Sequence, residues 1–74
     1  MADFLLDCKG QLCPKPIILI SKQMAAMAPG DRLRVEATDP AFRADITAWT
    51  KMRGQHLEEL HTDGEFASAV LEKR

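Results

Sequence analysis

Four apolar residues, Ile17, Ile20, Met24 and Met27, recur at spacings of three, four and three, with Ser21, Lys22 and Gln23 between them. That is the period of one helix face, and it predicts an amphipathic helix stopped by Pro29-Gly30. Just beyond, Leu33, Val35 and Ala37 alternate with Arg32, Arg34 and Glu36, the pattern of a strand with one buried and one wet face. A second helix is expected from Asp39-Pro40, with Asp as N-cap and Pro as the first helical residue. Phe42, Ile46 and Trp49 follow at i, i+4 and i+7, and Gly54 is placed to end that helix. Ahead of the first helix, Phe4, Leu6 and Cys8 alternate with Leu5 and Asp7, a short strand with Leu5 out of pattern. Residues 56–62 alternate poorly, Leu57 and Leu60 being three apart, so a bulge is expected there. Asp63-Gly64 reads as a two-residue hairpin turn into a last strand over residues 65–72.

The order is therefore β-α-β-α-β-β. The first two strands, joined through a helix, should be parallel with a right-handed crossover, and the last two should form an antiparallel hairpin. The fold class expected is α+β: a two-layer α/β sandwich whose mixed four-stranded sheet carries both helices on one face. The 74 residues are expected to form one domain, 1–74, of a size that hides only about 60% of its extended surface.

Composition narrows the function. Ten Lys and Arg against eleven Asp and Glu leave a net charge of -1, without the basic excess that phosphate-driven nucleic-acid binding needs. Tyr is absent and there is one Trp, which disfavours a base-stacking platform. The start MADFLLD lacks the basic region of a signal peptide, and no apolar run approaches the roughly 20 residues that span a bilayer. Two cysteines are too few for a disulfide scaffold, so a cytoplasmic location with two free thiols is expected.

The chemistry concentrates at Cys13. It lies in the stretch DCKGQLCPKPIILI, between a glycine-bearing loop and the apolar helix, with Pro14 and Pro16 behind it. Pro14 biases Cys13 toward the extended conformation of an N-cap residue. Near a helix start the unpaired amides amount to about half a positive charge, and the amides of Lys15 and Ile17 are candidate donors to an anion. The Lys15 ammonium adds a mobile charge. Together these features should favour thiolate over thiol, and the prolines should stiffen the loop that presents the sulfur. The rival reading is a small buried cysteine with no chemistry. A cysteine hydrolase would want a base beside the thiolate. The histidines, His56 and His61, both fall on the predicted third strand and read as surface residues.

At these residues the chain resembles the TusA/SirA family of small sulfur carriers. The resemblance rests on Asp7, Gly10, Cys13-Pro14-Lys15-Pro16, Pro29-Gly30-Asp31, Thr38-Asp39-Pro40, Asp45-Ile46, Trp49, Gly54 and Lys73. It implies the same β-α-β-α-β-β sandwich and a sulfurtransferase activity in which Cys13 is the catalytic residue and holds a persulfide. It also implies a protein sulfur donor, a cysteine desulfurase or rhodanese, and a protein acceptor. The pathways such carriers serve are tRNA thiolation, molybdenum-cofactor biosynthesis and sulfur-compound oxidation. No cofactor, metal, membrane or direct nucleic-acid partner is expected, and the chain should act as a monomer or in transient complexes. Gly10, Pro14, Lys15 and Pro16 are the supporting residues. Thiolate–sulfur exchange needs ionisation, nucleophilicity and access more than a pocket. With the helix start favouring the anion, a base is unnecessary, which favours relay over hydrolysis. Lys15 stands where some family members carry an acid. Cys8 lies outside the motif and is either core or a candidate resolving thiol.

Two rivals remain. Cys8, Cys13, His56 and His61 have the residue count of a zinc site, but the separation of the two pairs is far from finger spacing. A non-catalytic RNA- or protein-binding module is the other, because the C-terminal domain of translation initiation factor 3 has a similar architecture. Arg32, Arg34, Lys51 and Arg53 would be its basic patch.

Overall fold

The alternating and helical periods are realised in a computed structural model, which describes residues 2–74. The elements are β1 (Asp3–Cys8), α1 (Lys15–Ala25), β2 (Arg32–Ala37), α2 (Phe42–Arg53), β3 (His56–Asp63) and β4 (Phe66–Glu72). They build one sheet in the order β1-β2-β4-β3. β1 and β2 are parallel, whereas β2–β4 and β3–β4 are antiparallel.

The pleat sorts the side chains. Leu33, Val35 and Ala37 of β2 pair with Phe4, Leu6 and Cys8 of β1 and with Leu71, Ala69 and Ala67 of β4. These rows meet Ile20, Met24, Phe42, Ile46 and Trp49 from the two helices in a single core. Both helices therefore cover one face, as the period-two and period-3.6 patterns require. The opposite face carries Asp3, Arg32, Arg34, Glu59 and Glu72. Arg32 pairs with Glu58 at 3.2 Å there, and Val70 is buried in spite of lying on this face. Val70 is on a central strand, flanked by Arg34 and Glu59, whose stems shield it.

Three boundaries differ from the sequence reading. Regular α2 begins at Phe42, with Ala41 as N-cap, because Asp39 and Pro40 form a turn closed by Phe42 N–H donating to the Asp39 carbonyl at 3.0 Å. The hairpin loop is Gly64-Glu65, with Asp63 paired to Phe66. Gly64 has φ 59 and no non-glycine residue has positive φ among the described residues, so the loop needs its glycine first. Helix α1 starts at Lys15 with Pro14, not Cys13, as N-cap. The expected irregularity in β3 is a register shift between Leu57 and Glu59.

The chain ends lock together around Asp31, a buried residue. Its carboxylate accepts Ala2 N–H at 2.9 Å and Ala28 N–H at 3.0 Å. Lys73 closes the same corner, its backbone N–H donating to the Asp31 carbonyl and its Nζ to the Met24 carbonyl at 2.6 Å, a cation at the C-terminus of α1. The two amides hold the Asp31 carboxyl below the usual carboxylate range. A depressed folded pKa contributes stability above the unfolded value of about 3.9, lost as pH falls through the folded one. Asp31→Asn is therefore expected to unfold at lower urea than wild type at neutral pH. The gap between them should narrow below about pH 4. Urea midpoints at several pH values check this, and a gap independent of pH would contradict it.

No helix among the described residues is long and apolar enough to cross a membrane.

Candidate functional site

β1 and β2 run parallel, and Cys8 at the end of one pairs with Ala37 at the end of the other. The segments that follow them, residues 9–14 and 38–41, therefore emerge side by side at one end of the sheet. Hydrogen bonds stitch them together. Asp7 Oδ1 accepts Lys9 N–H at 3.0 Å, and Gln11 N–H donates to the Cys8 carbonyl at 3.1 Å. Gly10 N–H donates to Thr38 Oγ1 at 2.9 Å, and Cys13 N–H donates to Asp39 Oδ2 at 3.0 Å. The other Asp39 oxygen accepts Ala41 N–H at 3.2 Å. Asp39 is thus a buried latch that holds the cysteine loop to the start of α2.

Gly10 turns the loop with φ 84 and has open space where a Cβ would stand. The cost of a side chain there is conformational, about 1–2 kcal/mol for the left-handed region. Gly10→Ala is expected to lower the unfolding free energy by about that amount, measured by urea unfolding. An unchanged midpoint would contradict the loop geometry.

At the tip, Cys13 is exposed and Cys8 is buried, and both thiols are free. The Cys13–Pro14 peptide is cis. Leu12, beside Cys13 in the loop, and Ile18 on α1 are exposed, while Pro16 in the first turn of α1 is buried. Lys15 N–H donates to the Leu12 carbonyl at 2.8 Å, so this amide is not available to an anion as the sequence suggested.

The electrostatics of the sulfur reverse the sequence reading. Cys13 Sγ and one carboxylate oxygen each of Asp39 and Asp45 lie within 4.8 Å of one another. Hydrogen bonding of the thiol to the Asp45 carboxylate, then desolvation, then the negative charges of Asp45 and Asp39, push the Cys13 pKa up. Two acids outweigh a half-charge spread over a helix start where the Lys15 amide is already used. The raised pKa favours the thiol as the resting form, with the Asp45 carboxylate beside it. A base does stand near Cys13: Asp45, in the first turn of α2, lies beside the sulfur. Thiol and carboxylates together have the makings of a metal-ligand set, but both Asp39 oxygens already hold backbone amides, which makes Asp39 a structural latch.

The remaining candidates separate. Cys8 faces the helices, and burial followed by the charge of Asp7 pushes its thiol up, so the fold lends no support to a resolving role. His56 and His61 lie on the open face of the sheet, paired with Glu72 and Ser68, away from the core face that holds Cys8. The four-residue zinc set is not assembled. Arg32 and Arg34 lie on the open sheet face while Lys51 and Arg53 end α2, so they do not form one basic patch.

A sheet of this order, with an exposed Cys-Pro-x-Pro cysteine at the strand ends, has a family counterpart. Residues 5–73 match the family model described as sulfurtransferase TusA, and the chain belongs to that family. YrkI of Bacillus subtilis is 38% identical over 72 residues, covering 97% of this chain and 96% of its own. In YrkF of the same organism, 36% identical, the match spans only 39% of a longer protein. The sulfur carrier protein TusA of Allochromatium vinosum is 42% identical over 66 residues, covering 86% of this chain and 87% of its own. Among solved structures, a SirA-like protein from Desulfitobacterium hafniense superposes with a TM-score of 0.81 at 23% identity, covering 93% of this chain and 95% of that one. The last likeness establishes the shared β-α-β-α-β-β fold.

Proposed function

We propose that this chain is a sulfur carrier in which residues 1–74 act as one domain and Cys13 transiently holds sulfane sulfur as a persulfide. The observation that carries the reading is the contrast between its two thiols: Cys13 stands at an exposed loop tip, and Cys8 is buried. A partner's sulfur must come within about 2 Å for a bond to form, and an exposed tip permits that approach where a pocket would hinder it. Relatives named as sulfur carriers support the reading.

In loading, Cys13 sulfur attacks the outer sulfur of a donor persulfide, the donor's S–S bond breaks, and the donor leaves as a thiol. In unloading, an acceptor thiolate attacks the outer sulfur on Cys13, which leaves in turn. Neither step needs an external oxidant or reductant. The donor is a protein such as a cysteine desulfurase or rhodanese, and the acceptor a second protein of a cytoplasmic relay, serving tRNA thiolation, molybdenum-cofactor biosynthesis or sulfur oxidation. Both dock around residues 10–15, where Leu12 and Ile18 offer exposed apolar contact and Lys15 supplies charge. Pro14, Pro16 and Gly10 shape the loop. The test is intact mass spectrometry after incubation with a cysteine desulfurase and cysteine, or a rhodanese and thiosulfate. Wild type should gain one sulfur atom. Absence of any gain with both donors would overturn the proposal.

A further inference from the structure

A thiol that must react as an anion sits here between two carboxylates, which by charge alone would make it sluggish. Asp39 is committed to the Cys13 and Ala41 amides. Asp45 is different. It is half-buried in the first turn of α2, enters none of the ion pairs among the described residues, and its carboxylate lies within 4.8 Å of the sulfur.

We propose that Asp45 is the proton carrier of sulfur exchange at Cys13, accepting the thiol proton as the sulfur attacks a persulfide and releasing it to the departing thiolate. The inference rests on the reading of Cys13 as the sulfane-sulfur acceptor. On loading, the Cys13 S–H proton passes to Asp45 while the Cys13–sulfur bond forms and the donor S–S bond breaks. The protonated Asp45 then gives that proton to the donor thiolate, and the carboxylate is restored. On unloading, Asp45 takes the proton of the incoming acceptor thiol, the acceptor's sulfur attacks the outer sulfur, and Asp45 returns the proton to Cys13. Atoms, charge and electrons balance in both directions, and the carboxylate resets each time.

This accounts for the placement of an acid where a cation would seem the better choice. A raised thiol pKa lowers the thiolate fraction and makes Cys13 a poorer leaving group; a carboxylate that moves the proton in step with the sulfur offsets both. The charged groups gathered at the sulfur are Asp45 on α2 and Asp39 ahead of it; Lys15, next but one in sequence, is exposed.

The test separates proton transfer from simple charge. Alkylation of Cys13 by iodoacetamide reports the thiolate fraction. Uptake of sulfur from cysteine persulfide, quenched and read by intact mass, reports the exchange without a protein partner. In Asp45→Asn and Asp45→Ala, alkylation at neutral pH should be faster and its pH midpoint lower, whereas sulfur uptake should be slower by about tenfold or more. Asp45→Glu should recover most of the uptake. Faster uptake in both neutral variants would reduce Asp45 to a nearby charge and overturn the proposal, as would rates unchanged in both assays. If wild type itself takes up no sulfur, the reading of Cys13 fails and takes this one with it. If wild type and Asp45→Asn load at equal rates, only the role of Asp45 fails.

Discussion

Cys13→Ser is expected to carry no sulfur from donor to acceptor, with transfer of radiolabelled sulfur falling to the level seen without the protein. Ser keeps the size and the loop hydrogen bonds but supplies an alcohol, which forms no persulfide. The backbone N–H of residue 13 still meets Asp39, so the urea midpoint should stay within the scatter of surface substitutions, about 0.5 kcal/mol. Cys8→Ser is the contrasting variant. Its side chain is fully buried among Ala37, Leu6 and the helices, so a hydroxyl there costs stability while the protein that remains folded should still relay sulfur. Transfer by Cys13→Ser, or loss of transfer by folded Cys8→Ser, would show that the wrong thiol has been assigned.

Phe42→Ala is expected to have the largest effect on folding. Phe42 is 1% exposed, heads the largest fully buried side chains and opens α2. Truncating a buried Phe to Ala costs about 3–5 kcal/mol. At about 0.05–0.15 kcal/mol per residue, a domain this small has only about 4–11 kcal/mol to lose. With a urea slope near 1 kcal/mol/M for a small protein, the midpoint should fall by about 3 M, or the folded baseline should disappear. Met52, 78% exposed on the same helix, gives the comparison: Met52→Ala should stay within about 0.5 kcal/mol of wild type. A midpoint for Phe42→Ala within about 1 M of wild type would contradict the packing of α2 on the sheet. Because α2 carries Asp45 and follows Asp39, sulfur loading should fail together with the fold in this variant, and without unfolding in Cys13→Ser.

The sandwich was legible where a period was sustained. Ile20 and Met24, Phe42, Ile46 and Trp49, and the alternation from Arg32 to Ala37 each placed their element and face, and all but the charged positions lie in the core. Legibility failed where a residue served a distant partner. Asp39 reads as an N-cap, and one of its oxygens does accept the Ala41 amide, but the other holds Cys13 N–H, 26 residues away, and regular helix starts later, at Phe42. Asp63-Gly64 and Gly64-Glu65 carry nearly the same turn signal, and only the strand register, with Asp63 opposite Phe66, selects the second.

The same distinction divides the site. Cys13 and its prolines form a local motif, visible without a fold. The acids that set its protonation do not. Nothing near Cys13 in sequence announces Asp45, and the neighbours alone, a helix start and Lys15, suggest a local field of the opposite sign. The missing clue was topological: parallel β1 and β2 end together, so the loop after one must meet the residues after the other. Thr38, Asp39 and Asp45 are each legible in the sequence as isolated family matches. Their convergence needed the sheet.

Where the sulfur sits can be read directly. Cleavage after Lys9 separates Cys8 from Cys13, so a loaded, alkylated sample digested with trypsin assigns the extra sulfur by peptide mass. The extra sulfur is expected on the peptide beginning at Gly10, with the Cys8 peptide unmodified. An added sulfur on Cys8, or on neither peptide after a donor has demonstrably turned over, would contradict it.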